Sequence, residues 1–217
     1  ELSEVLELIA PYVQELKPRA EKKINFKKYK PITGVSKYLH FDREQTQIYY
    51  GIPSSKLGSR ENLYLKMLAT HLSGQSSELF VEVRDRLGLC YTAQPVHFMA
   101  LEGGYFGIYM ASGYDKVTPA IAAIKKIIDQ IKDNGLSKKE FNRIKTMIEG
   151  QNLLNVQTND DYANIYSVPV LQNQGLDYYH DQNEMIRSLK HDEFQSNIKK
   201  ILSKKWNTVI VGREDQQ

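Results

Sequence analysis

Hydrophobic residues recur along the chain at two spacings, and the change between these spacings separates helices from strands. Leu2, Val5, Leu6, Ile9 and Val13 recur at helical spacing. They predict an amphipathic helix over the first sixteen residues. Pro11 lies inside this helix, removes a backbone donor and favours a break there. Residues 35–41 and 45–53 contain short strand-like runs, the second with apolar residues at alternate positions, and predict two strands.

The middle of the chain changes to helical periodicity. Apolar residues between 59 and 72 fall on one side of a helix that Gly74 is expected to end. Apolar residues between 76 and 87 line a second helix, which Gly88 is expected to end. Residues 89–101 and 105–112, joined by Glu102-Gly103-Gly104, predict a β-hairpin.

The C-terminal half predicts further helices and one last strand. Thr118-Pro119 supplies an N-cap and a first-turn proline for a helix that ends at Asn134-Gly135. Ser137 and Glu140 have the spacing of a capping box, which opens another long helix. Residues 160–204 are in turn helical and irregular, and residues 208–211 predict a short closing strand.

This order of elements predicts an α+β fold, with a mostly antiparallel β-sheet backed by helices, because strict βαβ alternation is absent. We expect residues 1–30 to form an N-terminal helix and a basic linker or arm, and residues 31–217 to form the α+β domain. Residues 17–30 contain seven basic residues and a single acidic one. Such a run is typical of a solvated connector; contact with an anionic partner is the alternative.

Composition excludes several classes of protein. The chain has 217 residues, 41% hydrophobic and 25% charged, which is ordinary for a globular domain. A net charge of +3 is small for a nucleic-acid-binding protein. The single cysteine excludes an internal disulfide, and apolar runs are too short to span a bilayer, so we expect no membrane partner. Because the chain begins Glu1-Leu2-Ser3 rather than with Met, we expect an upstream segment, and the compartment stays unassigned.

The residues alone reveal no self-contained active site. None of the five histidines stands in a His-x-x-Glu-His arrangement, in either direction. His71 lies on an apolar helix face and is expected to be a satisfied core residue. His180 and Glu184 are four residues apart, but a catalytic zinc needs three protein ligands. Cys90 is expected to be a buried, inert thiol.

One segment, residues 72–91, is unusually dense in turns and caps. Arg84 lies near the end of the second predicted helix, and Tyr91 lies at the start of the following strand. A turn at Gly88 can bring the two side chains near each other, and both are suitable donors to peptide carbonyls. Taken alone, a structural salt bridge from Arg84 to Glu82 or Asp85 is the better explanation of this arginine.

This segment resembles the C-terminal domain of the M16 family, the pitrilysin, insulinase and mitochondrial processing zinc peptidases. The matching residues, in order, are Gly74, Ser76, Ser77, Leu79-Phe80, Arg84, Gly88-Leu89 and Tyr91. The hairpin end Gly104-Tyr105-Phe106 and the helical pair after Thr118-Pro119 are also similar, so the resemblance spans residues 35–211. The chain departs from the family pattern at Glu78, where the family often has Arg, and at Cys90, where it usually has a small residue.

The resemblance implies a clamshell of two similar halves that enclose a chamber. The first half carries the inverted zinc motif; the second, inactive half supplies an arginine and a tyrosine. The resemblance therefore assigns Arg84 and Tyr91 to binding of the peptide backbone, and gives Tyr91 a catalytic role at a developing oxyanion. It implies a peptide or unfolded protein as substrate, no metal in this chain, and zinc in a homologous N-terminal domain or partner subunit that carries His-x-x-Glu-His.

These implications make the chain part of a zinc metalloendopeptidase and predict that the isolated chain is inactive. A catalytically inactive M16-like subunit, acting as an assembly or interaction module, is the alternative. The presence of Arg84 and Tyr91 favours an active context, since a purely structural subunit does not need them. Nucleic-acid binding through residues 17–30 is the weakest of the hypotheses, so we expect no nucleic-acid partner.

Overall fold

The computed structural model describes residues 2–16 and 30–213. The helices are α1 (Leu2–Gln14), α2 (Glu61–Leu72), the π-helix π1 (Leu79–Arg86), α3 (Val117–Asn134), α4 (Lys138–Leu154), α5 (Asn159–Leu171), α6 (Tyr178–Ser188) and α7 (His191–Leu202). The strands are β1 (Ser36–His40), β2 (Gln45–Ser54), β3 (Thr92–Met99), β4 (Gly104–Gly113) and β5 (Asn207–Gly212).

The strands form one sheet in the order β1–β5–β2–β4–β3. The long strand β2 pairs antiparallel with β4 on one side and with β5 on the other, and the β3–β4 hairpin is antiparallel as well. Only β1 and β5, among the described strands, pair in parallel. The predicted α+β fold with a mostly antiparallel sheet is therefore confirmed.

The core lies between the central strands and the helices. Ile48 and Ile52 on β2 and Phe106 and Met110 on β4 are at most 1% exposed. Several helices place apolar faces in the same cluster; their residues include Leu65, Leu68, Ile124, Ile128, Ile144, Ile148, Phe194 and Ile198. Burial of this one contiguous cluster is the main force that holds the helices on the sheet.

The N-terminal helix is present and continues through Pro11. None of its residues is buried, so the carbonyl that loses its donor at Pro11 can be hydrated. Most of the basic run, residues 17–29, lies outside the described residues; only its last residue, Lys30, is described. The division at residue 30 therefore stays a prediction.

The start of α3 and the capping box of α4 differ from the sequence predictions. Helix α3 begins at Val117, after a 3₁₀ turn at Tyr114–Lys116, so Thr118 lies inside the first turn and does not cap it. Ser137 does cap α4, accepting the Glu140 N–H at 3.1 Å. The Glu140 carboxylate does not complete the box, because it binds Arg143 and His71 instead. The complete capping box belongs to Thr158 and Asp161 at the start of α5.

Helices in the described part of the chain are too short or too polar to cross a lipid bilayer.

Candidate functional site

The segment between α2 and β3 is built around the π-helix. Leu79 and Val83 are fully buried and attach π1 to the core. The buried Ser77 hydroxyl accepts the Phe80 N–H at 3.3 Å, which satisfies one free donor at the start of the helix. Gly88 follows with a φ of +58°, a left-handed conformation that glycine adopts at low cost. The sequence predicted an ordinary helix here, and π-helical turns are frequent at functional sites.

The backbone after Gly88 is tied to its neighbours at successive positions. The Leu89 N–H donates to the Val83 carbonyl at 3.0 Å, and the Tyr91 N–H donates to the Ala111 carbonyl at 2.9 Å. The Ser112 hydroxyl donates to the Leu89 carbonyl at 2.5 Å. These bonds join the end of π1 to the entry of β3, which begins at Thr92. The segment from Arg84 to Tyr91 is therefore held at both ends.

Arg84 is exposed and has no ion-pair partner among residues 2–16 and 30–213. Glu82, one of its two expected partners, binds Arg86 at 2.6 Å instead. The Arg84 guanidinium carbon lies 4.7 Å from the centroid of the Phe80 ring, a cation–π contact that leaves its N–H groups open to solvent. The prediction that Arg84 forms a structural salt bridge with Glu82 or Asp85 is therefore wrong.

Tyr91 is anchored through its backbone and presents its side chain to solvent. The residue is 76% exposed. Within the described ranges, its hydroxyl makes no hydrogen bond, and none links it to Arg84. The segment therefore displays a guanidinium and a phenol seven residues apart, each with unused donors.

Cys90 lies between these two residues and is half-buried. Burial raises the pKa of its thiol, and the positive charge of Arg84 partly opposes that rise. The thiol therefore has little thiolate character, as expected of an inert cysteine. The same interaction shows that the Arg84 charge acts on the residue next to Tyr91.

His71 and His180 are engaged in other contacts. His71 lies 3.0 Å from a Glu140 oxygen, which agrees with a satisfied structural residue. His180 contacts the Tyr166 hydroxyl at 3.2 Å, whereas Glu184 binds Arg187 at 2.8 Å. Over the described ranges, no three His, Cys, Asp or Glu residues stand close enough to hold a metal. The described residues therefore do not fit a catalytic zinc.

Sequence reasoning passed over Lys66. It is a lysine within the otherwise largely apolar helix α2, and it lines a cavity formed with β3, α5 and α6. Its position inside the otherwise apolar run 63–69 was the signal for it in the sequence.

The model of the peptidase M16 inactive domain matches residues 1–148. This chain belongs to the M16 peptidase family, as an inactive domain. The fold agrees with solved M16 structures. A peptidase M16 inactive domain from Pseudomonas fluorescens superposes with a TM-score of 0.85 at 18% identity, over 100% of this chain and 52% of that one. A protease from Helicobacter pylori gives a TM-score of 0.84 at 18% identity, over 97% of this chain and 52% of that one.

Relatives in sequence carry zinc-protease names. An uncharacterized zinc protease of Rickettsia felis is 28% identical over 199 residues, which are 89% of this chain and 47% of the relative. One from Streptomyces coelicolor is 22% identical over 78% of this chain and 37% of the relative. This M16 chain thus spans about half the length, or less, of these curated relatives.

Proposed function

We propose that this chain is the non-metal, substrate-binding half of an M16-type zinc metalloendopeptidase. The observation that carries the proposal is the state of Arg84 and Tyr91. Both are exposed on one anchored segment, and neither uses its side-chain donors on a polar partner within the described ranges. A binding surface needs side chains whose backbone is fixed and whose hydrogen-bond donors are free for a ligand.

Arg84 and Tyr91 match the chemistry of an extended peptide. A guanidinium donates charge-assisted hydrogen bonds to backbone carbonyls, and a phenol donates one more. In the enclosed chamber of a closed enzyme, the Tyr91 hydroxyl would donate to the oxygen on which negative charge develops. Arg84 would hold the peptide backbone in register beside it.

The zinc of such an enzyme would lie in another domain or subunit. Three observations support this assignment: the match to an inactive M16 domain, the zinc-protease names of relatives about twice as long, and the lack of three clustered ligands over residues 2–16 and 30–213. The partner would be a homologous N-terminal M16 domain with its His-x-x-Glu-His motif. Residues 1–30 would serve as the arm and residues 31–217 as the domain.

An inactive subunit or assembly module is the second candidate. Exposed apolar residues on α5 are consistent with it: Tyr162 and Val170 are about half exposed, and Leu171 is 83% exposed. Exposed apolar clusters mark surfaces that associate with other proteins. This observation fits either candidate, whereas unused donors on Arg84 and Tyr91 favour the first.

Peptide binding by this chain tests the proposal without any need for zinc. A ¹⁵N-labelled chain would be titrated with an extended peptide and followed by NMR, and shifts are expected in the amides between Arg84 and Thr92. Arg84→Ala should weaken binding about tenfold, the scale of one charge-assisted hydrogen bond. Arg86→Ala is the matched control, because Arg86 already binds Glu82. Equal loss in the two variants, or no shifts in this segment, would refute the proposal.

A further inference from the structure

A concave site lies at the end of β3 that is farther from Tyr91. Helices α2, α5 and α6 and the end of β3 line an open cavity of about 510 Å³. Its walls are mostly apolar and include Leu57, Phe98, Met99, Ile165, Val168 and Pro169. Volumes of this size hold small ligands rather than whole protein segments.

Lys66 supplies positive charge to this cavity. Burial lowers the pKa of its ammonium group, because the charged form loses hydration. Within the described ranges, Lys66 forms no ion pair and no side-chain hydrogen bond. A partly buried ammonium without a counter-charge loses part of its hydration, and an anion that enters the cavity would offset that loss.

Other groups around the cavity favour an anion as well. The lining contains neither Asp nor Glu. Tyr178 contributes a phenol whose pKa is raised by burial, with the Gly58 N–H opposing the rise, so the phenol remains a donor. Asn164 and Gln182 add side-chain amides that can pair with a peptide backbone. The site therefore combines apolar walls, one unpaired cation and neutral donors.

We propose that this cavity binds the carboxyl-terminal end of a peptide whose last residue is apolar. Its carboxylate would pair with Lys66, and its last side chain would contact Phe98, Met99 and Val168. Capture of a terminal carboxylate is an established mode of peptide recognition, and here the ammonium of Lys66 would supply the positive charge. The choice of a peptide as ligand rests on the proposed function, whereas the preference for an apolar carboxylate rests on the cavity alone.

The distance between the two sites sets the length of peptide that can occupy both. His97 in the cavity wall is six residues after Tyr91 along nearly continuous strand, which corresponds to about 20 Å. A peptide of about six extended residues would span this distance. One chain end would thus be held at Lys66 while the backbone farther along contacts Arg84 and Tyr91.

Fluorescence anisotropy of the 217-residue chain with two labelled peptides tests this inference. Both are octapeptides that end in leucine, one with a free carboxylate and one with a carboxamide. The free acid should bind about tenfold more tightly than the amide, because only the acid pairs with Lys66. Lys66→Met should abolish this ratio, and Lys66→Gln is a second variant in case the first does not fold. Lys126→Met, on the exposed side of α3, is the control that should keep the ratio.

Equal affinities of the two peptides for the unaltered chain would overturn the inference, as would a ratio that survives in Lys66→Met. The result for Arg84→Ala separates this inference from the proposed function. If Arg84→Ala weakens both peptides equally and keeps the ratio, both ideas stand. If Arg84→Ala changes neither peptide while the ratio persists, the cavity binds carboxylates but the role proposed for Arg84 fails.

Discussion

The Glu82 carboxylate binds Arg86, four residues further along π1, at 2.6 Å. This ion pair is exposed and contributes little to stability. Its consequence is local, because it leaves Arg84 without the counter-charge that its sequence neighbours offered. An arginine that contacts only an aromatic ring retains its full set of donors for a ligand.

The isolated chain should bind no stoichiometric zinc and should cleave no peptide. A catalytic zinc needs three protein ligands, and the described residues bring no such set together. Zinc content after dialysis, measured by atomic absorption, checks the first part, and a quenched-peptide assay checks the second. One retained zinc per chain, or turnover by the chain alone, would contradict the account.

Lys66→Met should raise the free energy of unfolding by about 1 kcal/mol or more at pH 7. The change replaces an unpaired, partly buried ammonium, whose pKa is lowered by burial, with an apolar side chain of similar length. Urea denaturation measures it, with Lys126→Met expected to lie within about 0.5 kcal/mol of the unaltered chain. A destabilised Lys66→Met variant would show that the ammonium has a counter-charge or a hydrogen-bond partner.

The free energy of unfolding should decrease as the pH falls, because His97 is harder to protonate in the folded chain than in the unfolded one. Burial lowers the pKa of His97 to about 4; Glu61 opposes this fall and Lys66 adds to it. The unfolded chain, with an ordinary histidine pKa of about 6.5, therefore binds more protons between these two values, and folding loses free energy as the pH drops. Between pH 7 and pH 4.5 the loss is roughly 2 kcal/mol.

His97→Gln should remove that part of the pH dependence, since glutamine can still donate to Asn62 but does not titrate. Urea denaturation of both proteins at pH 7 and at pH 4.5 gives the difference, and the other titrating groups cancel in the comparison. An identical pH dependence in the two proteins would show that His97 does not titrate as described.

Gly88→Ala should lower the free energy of unfolding by roughly 1 kcal/mol. The cost is conformational, because Gly88 has a φ of +58° and an added methyl would meet no atom within 4 Å. Gly150→Ala is the matched control: it also meets no atom within 4 Å but lies in α4, where alanine should stabilise by about 0.5–1 kcal/mol. Opposite signs in thermal unfolding are expected, and equal signs would contradict this explanation.

Local patterns were sufficient to predict most of the architecture. The apolar spacing in α3 and α4, the glycine at the hairpin and the absence of βαβ alternation predicted the helices and the largely antiparallel sheet. The parallel pairing of β1 with β5 was beyond this reasoning, because the two strands are more than 160 residues apart and no local signal joins them. The start of α3 was misplaced because Tyr114–Lys116 forms a 3₁₀ turn that leads into the helix before Thr118.

The candidate site was only partly predictable, because some of its contacts join residues that are far apart in the sequence. Residue order placed Arg84 and Tyr91 on either side of a glycine turn. The pairing of Glu82 with Arg86 was open to prediction from spacing alone, because residues four apart lie on one helix face and residues two apart, such as Glu82 and Arg84, do not. The cavity at Lys66 joins residues on α2, β3, α5 and α6, and only tertiary structure brings such distant segments together.

Turnover by the complete protein, with its zinc-bearing half present, tests the central claim most directly. Tyr91→Phe removes one hydroxyl and should lower kcat about 10²–10³-fold, the effect of losing an oxyanion donor. Tyr114→Phe, another exposed tyrosine, should leave kcat unchanged. If kcat is unchanged in both Tyr91→Phe and Arg84→Ala, this pair does not act on the substrate, and the chain is an assembly module rather than the substrate-binding half of a peptidase.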